Sequence, residues 1–321
     1  MERGHDTGRE RRRPRLGHTG SLDCVPLYWG LARTTALLDV DLVADTPDGL
    51  ARRLLAGDLD IAAVPAVTYL RHSEELLALP GIASGSDGPM MSAVLVSNVG
   101  MDELHGADVA LAPAGPTSRR LARLLLEERY GVASRYVPGS RDPVAVLRGA
   151  DAAVLFGDAA LDATVSLART PRGPRVHDLA GLWREWTGLP FVFAVWAVRR
   201  EPARRRPDAV AAVHRGLLAA RDLARAENAE LAARTARWEP FDAPTLERYF
   251  GRALDYSFGP RQVAGLAEFA RRTGHGAPAV VSGEWFRGVG EAVPAASCGT
   301  TARSGGEPDA ACPGCGGLRR L

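Results

Sequence analysis

The sequence predicts an α/β fold of about two lobes. Short apolar runs alternate with stretches of helical period, and capping residues, prolines and glycines bracket the helices. The chain has 321 residues, 46% of them hydrophobic and 24% charged, enough to bury a large core. At roughly 150 residues per domain, that length fits about two compact lobes.

The elements follow in order. Residues 1–14 read as a disordered basic leader, with order expected from Arg15 and a first strand ending at His18. Asp23 precedes Pro26 and the apolar run from Leu27 to Leu31, the pattern of an N-cap on the first helix. Val40 to Val43, Asp60 to Val64, Ala93 to Ser97, Asp108 to Leu111, Ala152 to Phe156 and Phe191 to Val198 are strand candidates. Between them, Thr46-Pro47 opens a helix through Leu54, and Pro116-Thr117-Ser118 opens a longer one through Tyr130, closed by Gly131. Thr187-Gly188-Leu189-Pro190 breaks a helix and launches the strand from Phe191. After Trp196 helices dominate. Val210, Val213, Leu217, Ala220 and Ala224 share one face between Pro207 and Arg225, and further helices are expected over 229–237, 243–250 and 261–272. Residues 277–321 are expected to form a largely disordered C-terminal extension, rich in Gly, Ala, Ser and Pro from about residue 286.

Composition excludes several classes. The 40 basic residues, all Arg, nearly balance 38 acidic ones, so no surface is expected to track nucleic acid. The absence of Lys removes lysine Schiff bases, lysine general bases and phosphate-loop lysines. No apolar run spans a membrane, and no apolar stretch follows the basic N-terminus as in a signal peptide, so a cytoplasmic protein without a membrane partner is expected. Nucleophile-elbow, zinc-protease and dinucleotide-binding signatures are missing. Cys312-Pro-Gly-Cys315, with Cys298 nearby, supplies too few ligands for a structural zinc, so no metal is expected.

The candidate site residues are of two kinds. Thr117 and Ser118 stand at a helix start, where unpaired backbone N–H groups and two hydroxyls suit a carboxylate or phosphate, although taken alone they are better explained by a plain N-cap. Ser92, at the start of the strand Ala93 to Ser97, is placed to present its hydroxyl to a cleft. Asp23 is a base or substrate contact, or only a cap, and His18 is a base or a buried histidine. Cys24 reads as a small core residue. The stretch His177 to Trp196 holds three of the six Trp and two of the eight Phe, a density that means core. Thr187 and Gly188, at its break, are placed on a cleft wall as substrate contacts.

From about Arg15 to Gly274 the chain resembles the menaquinone-pathway chorismate dehydratases of the futalosine route (the MqnA type). The resemblance rests on RLGHTGSLDCVPLYWGLART, the run Leu54 to Ala62, MMSAVLVS at Met90 to Ser97, PTSRRLARLLLEERYGV, Phe156 to Leu161, and DLAGLWREWTGLPFVFAVW. The last two together are specific, and the wording of the first is similar to the actinobacterial branch.

This resemblance implies a periplasmic-binding-protein-like type II fold with a cleft between two α/β lobes. Lobe I would comprise residues 15–98 plus 192–276 and lobe II residues 99–191, with crossovers near Asn98 and near Leu189 to Val192. The family converts chorismate into 3-[(1-carboxyvinyl)oxy]benzoate and water. No metal or organic cofactor is implied, and the partner is a small dicarboxylate. Ser92, Thr117 and Ser118 would donate hydrogen bonds to its carboxylates, and its own enolpyruvyl carboxylate would serve as base. The family has Asn where this chain has Asp23, at a position implied to touch the substrate. Thr19-Gly20-Ser21 and Ala114-Gly115-Pro116 also depart from the family pattern, and so does the cysteine-bearing tail. A diverged paralogue that acts on, or only binds, another aromatic or enolpyruvyl carboxylate is the alternative.

Overall fold

The computed structural model describes residues 12–280, except 35, 112–114, 141, 169, 171, 172 and 279. Most of the expected leader and extension, with Cys298, Cys312 and Cys315, lies outside these residues, as does Ala114. Residues 12–14, expected in the leader, instead pack on the first sheet. Pro14 O accepts from Asp41 N–H at 2.9 Å, and Arg12 pairs with Asp60 at 3.0 Å.

Ten strands are formed: β1 (Arg15–His18), β2 (Asp41–Ala44), β3 (Ile61–Pro65), β4 (Leu76–Ser86), β5 (Ala93–Ser97), β6 (Asp108–Leu111), β7 (Arg135–Pro138), β8 (Ala152–Phe156), β9 (Arg175–Asp178) and β10 (Phe191–Arg199). The helices are α1 (Val25–Arg33), α2 (Pro47–Ala56), α3 (Ala66–Arg71), α4 (Pro116–Leu124), α5 (Pro143–Val146), α6 (Asp158–Leu167), α7 (Leu179–Thr187), α8 (Arg200–Arg205), α9 (Pro207–Ala226), α10 (Asn228–Thr235), α11 (Ala243–Arg248) and α12 (Pro260–Arg272).

The strands form two five-stranded sheets of equivalent order, β2-β1-β3-β10-β4 and β7-β6-β8-β5-β9. In each, three strands run parallel through helical crossovers, and the strand that follows a passage from the other sheet is inserted antiparallel beside them. Sheet membership moves one expected boundary. Ala93–Ser97 pairs with β8 and β9 of the second sheet, so the first passage lies between Ser86 and Ala93, not at Asn98. The return lies between Asp178 and Phe191.

Three strands had no counterpart in the sequence pattern. β7 and β9 are the edges of the second sheet and carry polar, half-exposed residues with no apolar alternation. β4 contains Pro80 and Gly81, which stand in a wide bulge where the register on β10 jumps from Ala78 to Ala83. Their backbone is held from outside the sheet, Gly81 N–H by Phe258 O at 3.1 Å and Pro80 O by His214 at 2.7 Å.

Two helices depart from the expected course. The helix from Pro116 turns π-helical over Leu125–Arg129 before Gly131 (φ 66°) ends it, and the helix from Ala243 does the same over Tyr249–Ala253. At α1 the N-cap is Cys24, not Asp23; Asp23 sits one residue earlier, in the 3-10 turn Leu22–Cys24.

The expected aromatic core is present. Phe191 meets Phe193, Phe269 and Trp183 edge-on at ring separations of 4.6, 5.1 and 5.3 Å, and the Trp183 indole N–H donates to Pro190 O. Helix α1 packs directly on α9 because Gly30 has no side chain; a Cβ there would fall 2.1 Å from Ala220 O. Among the described residues no helix is long and apolar enough to cross a membrane.

Candidate functional site

A cavity of about 70 Å³ lies where the turn after β1 and strands β3, β4 and β10 of the first sheet face the start of α4 and the end of β8 in the second. Phe156, Phe193 and Trp196 form its apolar sides, and Asp23 is the one ionisable acid among its described lining residues.

On the first-sheet wall the hydrogen bonds converge on the 3-10 turn. The Ser21 hydroxyl donates to Asp23 Oδ1, Thr19 Oγ1 lies 2.8 Å from Ser21 Oγ and 3.1 Å from Cys24 Sγ, and Tyr256 donates to Asp23 O at 2.6 Å. Burial pushes the Asp23 carboxyl above the ordinary carboxylate range; the Ser21 hydrogen bond opposes this, and the Asp158 carboxylate adds to it. Burial pushes the Cys24 thiol up to about 12, with the Asp23 charge adding to it. It also pushes the Tyr28, Tyr249 and Tyr256 phenols above their ordinary range. Cys24 is therefore a half-buried wall residue and not simply core.

On the opposite wall Gly115 is the N-cap of α4, so neither Thr117 nor Ser118 spends its hydroxyl as a cap. Thr117 Oγ1 instead accepts from Val67 N–H at 3.3 Å, tying α4 to the start of α3. Ser118 Oγ is fully buried and has no hydrogen-bond partner. It lies on the cavity beside the first N–H groups of α4, which have no intrahelical acceptor.

Ser92 lies deeper and is not among the lining residues. It follows Met91, whose left-handed backbone (φ 68°) is clamped by Asp178 on its N–H and by Thr164 on its carbonyl, each at 2.7 Å. Its hydroxyl and that of Tyr249 are both buried beside one another, and the Ser92 hydroxyl draws the Tyr249 phenol back toward its ordinary range. His18 packs edge-on against Tyr28, at a ring separation of 5.0 Å, behind the wall.

The structure thus brings Asp23, Thr117 and Ser118 to one cavity, with Ser92 behind it. Thr187 and Gly188 do not line it. They end α7, where the Thr187 hydroxyl donates to Trp183 O at 2.9 Å and Gly188 takes the left-handed cap conformation (φ 73°). Tyr249, Tyr256 and Asp158 reach the site from distant sequence; Tyr256 meets Asp23 across 233 residues, a contact no local pattern announces.

The architecture is shared by solved structures of low sequence identity. A protein of Archaeoglobus fulgidus gives a TM-score of 0.64 at 21% identity, covering 83% of this chain and 99% of that one. A Candida albicans protein with the generic periplasmic binding protein fold gives 0.61 at 11% identity, over 86% and 94%. An alkanesulfonate-binding protein of Xanthomonas axonopodis pv. citri, bound to MOPS, gives 0.58 at 17% identity, over 81% and 91%. The molecule is a two-sheet α/β protein of the periplasmic-binding-protein fold.

Within that class the sequence is more specific. Residues 14–275 match the menaquinone biosynthesis family, and the chain belongs to it. A chorismate dehydratase of Thermus thermophilus is 35% identical over 195 residues, 56% of this chain and 70% of that protein.

Proposed function

We propose that this chain is a cytoplasmic chorismate dehydratase of the futalosine route, eliminating water from chorismate to give 3-[(1-carboxyvinyl)oxy]benzoate. The observation that carries the reading is the unpartnered Ser118 hydroxyl at the open start of α4, across the cavity from the buried carboxyl of Asp23. The first is a seat for a substrate carboxylate, strengthened by the helix dipole. The second takes the place of the family's Asn.

The reaction removes the ring C3 proton and the C4 hydroxyl, and aromatisation drives it, so the protein needs to bind a dianion, orient it and assist proton removal. The enolpyruvyl carboxylate of the substrate takes the C3 proton and passes it to the departing C4 hydroxyl, which leaves as water. Ser118 and the Thr117 and Ser118 N–H groups hold a carboxylate, and Ser92 is a further donor once the layers part. Parting is required, because a cavity of about 70 Å³ is below the ~300 Å³ at which ligand pockets begin.

Asp23 must then be protonated. A carboxylate about 4 Å from a substrate carboxylate costs on the order of 4 kcal/mol at an effective dielectric near 20, nearly three decades of affinity. The neutral acid donates a hydrogen bond, as Asn would, and the cause that raises the Asp23 pKa, burial, already favours that form.

The same Asp23 is the specific observation behind a second reading, a diverged paralogue that acts on or binds a different aromatic or enolpyruvyl carboxylate. Purified protein mixed with chorismate at about pH 6 and pH 8, with product followed by liquid chromatography and mass detection, separates the two. Product at both values, and more at the lower, is expected. Chorismate left intact, with Asp23→Asn also inactive, would establish the paralogue.

A further inference from the structure

Asp158 joins the two layers at the cavity. It opens α6 immediately after β8, where Gly157 takes φ 69° and ψ −144°, a conformation that suits glycine and lets strand become helix within one residue. Gly157 N–H is held by Ser92 O at 2.8 Å, which fixes this corner beside the site. From it the Asp158 carboxylate reaches back to the other layer, and its Oδ1 accepts from Leu22 N–H at 3.1 Å across 136 residues. Leu22 begins the turn that carries Asp23. Asp158 is itself exposed, the Asp23 carboxyl is buried, and among the described residues no cation pairs with either carboxyl. A like charge beside a buried carboxyl favours its protonated form.

We propose that Asp158 is a positioning residue that acts through Asp23: it fastens the Leu22–Cys24 turn to the second layer in the closed cleft and sets a like charge behind Asp23, so that Asp23 meets the ligand as a hydrogen-bond donor. The inference rests on the reading of the cavity as a carboxylate site. The two carboxyls then act as an acid pair, Asp158 accepting from the Leu22 backbone N–H and Asp23 offering its proton to the ligand.

The other titratable groups facing Asp23 are Cys24 on its own turn, Tyr28 on α1, Tyr249 on the π-helical turn after α11, and Tyr256 beyond it. Burial keeps the thiol and the three phenols neutral through the physiological range. His18 packs against Tyr28 and is controlled by the His18→Gln variant.

The test is kcat/KM for chorismate from about pH 5 to pH 9 in the wild type, Asp158→Asn, Asp158→Ala, Asp23→Asn, His18→Gln and the double variant Asp23→Asn/Asp158→Asn. Asparagine keeps an oxygen for Leu22 N–H and removes only the charge. Asp158→Asn is expected to move the alkaline limb of the profile to lower pH. Asp158→Ala adds a rise in KM of roughly 3- to 10-fold from the lost latch. In the Asp23→Asn background the limb is gone and Asp158→Asn moves nothing. A residue with a merely structural role would lower the profile equally at every pH. The proposal is overturned by an Asp158→Asn profile that superimposes on the wild type, by a shift that persists without Asp23, or by loss of the limb in His18→Gln.

If no variant consumes chorismate, the functional reading fails but the acid pair is still testable. Urea midpoints of the wild type, the two Asn singles and the double variant are then compared at about pH 5 and pH 8. Non-additivity that is larger at the higher pH supports the pair, and additivity at both overturns it.

Discussion

The turn after β1 and the start of α4 face each other across the cavity with opposite inventories. Around the turn the hydroxyls of Ser21 and Tyr256 are already committed to Asp23, and Thr19 is shared between Ser21 and Cys24, so what remains for a ligand is a carboxyl group. At α4 the inventory is reversed, because Gly115 serves as cap, Ser118 Oγ has no hydrogen-bond partner and the first N–H groups have no intrahelical acceptor. Leaving such donors buried costs stability, which a ligand carboxylate would return on binding. The pairing orients a ligand: its anionic end belongs at α4, and a group able to accept from a protonated Asp23 belongs at the turn.

The largest expected effect lies on the α4 side. Ser118→Ala removes a donor to a charged group, worth roughly 1.5–3 kcal/mol, so chorismate affinity should fall by about 10- to 100-fold. Its melting temperature should hold or rise, since an unsatisfied buried hydroxyl is removed along with the function. Titration calorimetry and thermal unfolding of the same variant read both. A lower melting temperature with unchanged affinity would make Ser118 structural and dissolve the contrast between the walls.

On the turn side, Asp23→Asn should raise chorismate affinity by about tenfold near pH 8 and change it little near pH 5. Stability carries an independent sign. A carboxyl whose pKa is raised on folding, from an ordinary 3.8, contributes stability that is whole below that value and lost as pH rises through the raised one. The Asp23 contribution to the urea midpoint should therefore decline as the pH climbs above about 4, and Asp23→Asn should remove that part of the wild-type pH dependence. Equal slopes in the two proteins would place an ordinary carboxylate at Asp23.

These walls were unequally legible in the sequence. Thr117 and Ser118 announce themselves because Pro116 marks a helix start locally. Asp23 was found but given the wrong bland role: the local pattern of an acid before Pro26 reads as a cap, whereas the chain makes an additional 3-10 turn and leaves capping to Cys24. Strands β5, β6 and β8 were readable to the residue because they are the buried interior of the second sheet. The edges β7 and β9 were not, since pairing on one side alone forms a strand without an apolar pattern. Tyr249 and Tyr256 join the site only after the chain returns to the first sheet, and Asp158 only where the second sheet meets the first; Thr187 and Gly188 do not line the cavity. Their helix break was legible, and its distance from the cavity was not.

Thr117 and Gly188 separate packing from binding with smaller effects. Thr117→Val strips the acceptor from Val67 N–H and should cost about 1–3 kcal/mol, a drop of roughly 2–4 °C in melting temperature for each kcal/mol. Its loss of affinity should be smaller than that of Ser118→Ala. Gly188→Ala forces a side chain into the left-handed cap of α7 and should cost about 1 kcal/mol. It should leave the KM for chorismate unchanged, because neither residue of that cap lines the cavity. Steady-state kinetics beside a melting curve decide the matter. A KM that rises severalfold in Gly188→Ala would mean that the cleft, when it opens, brings the end of α7 to the ligand, and would extend the binding surface beyond the two walls of the closed state.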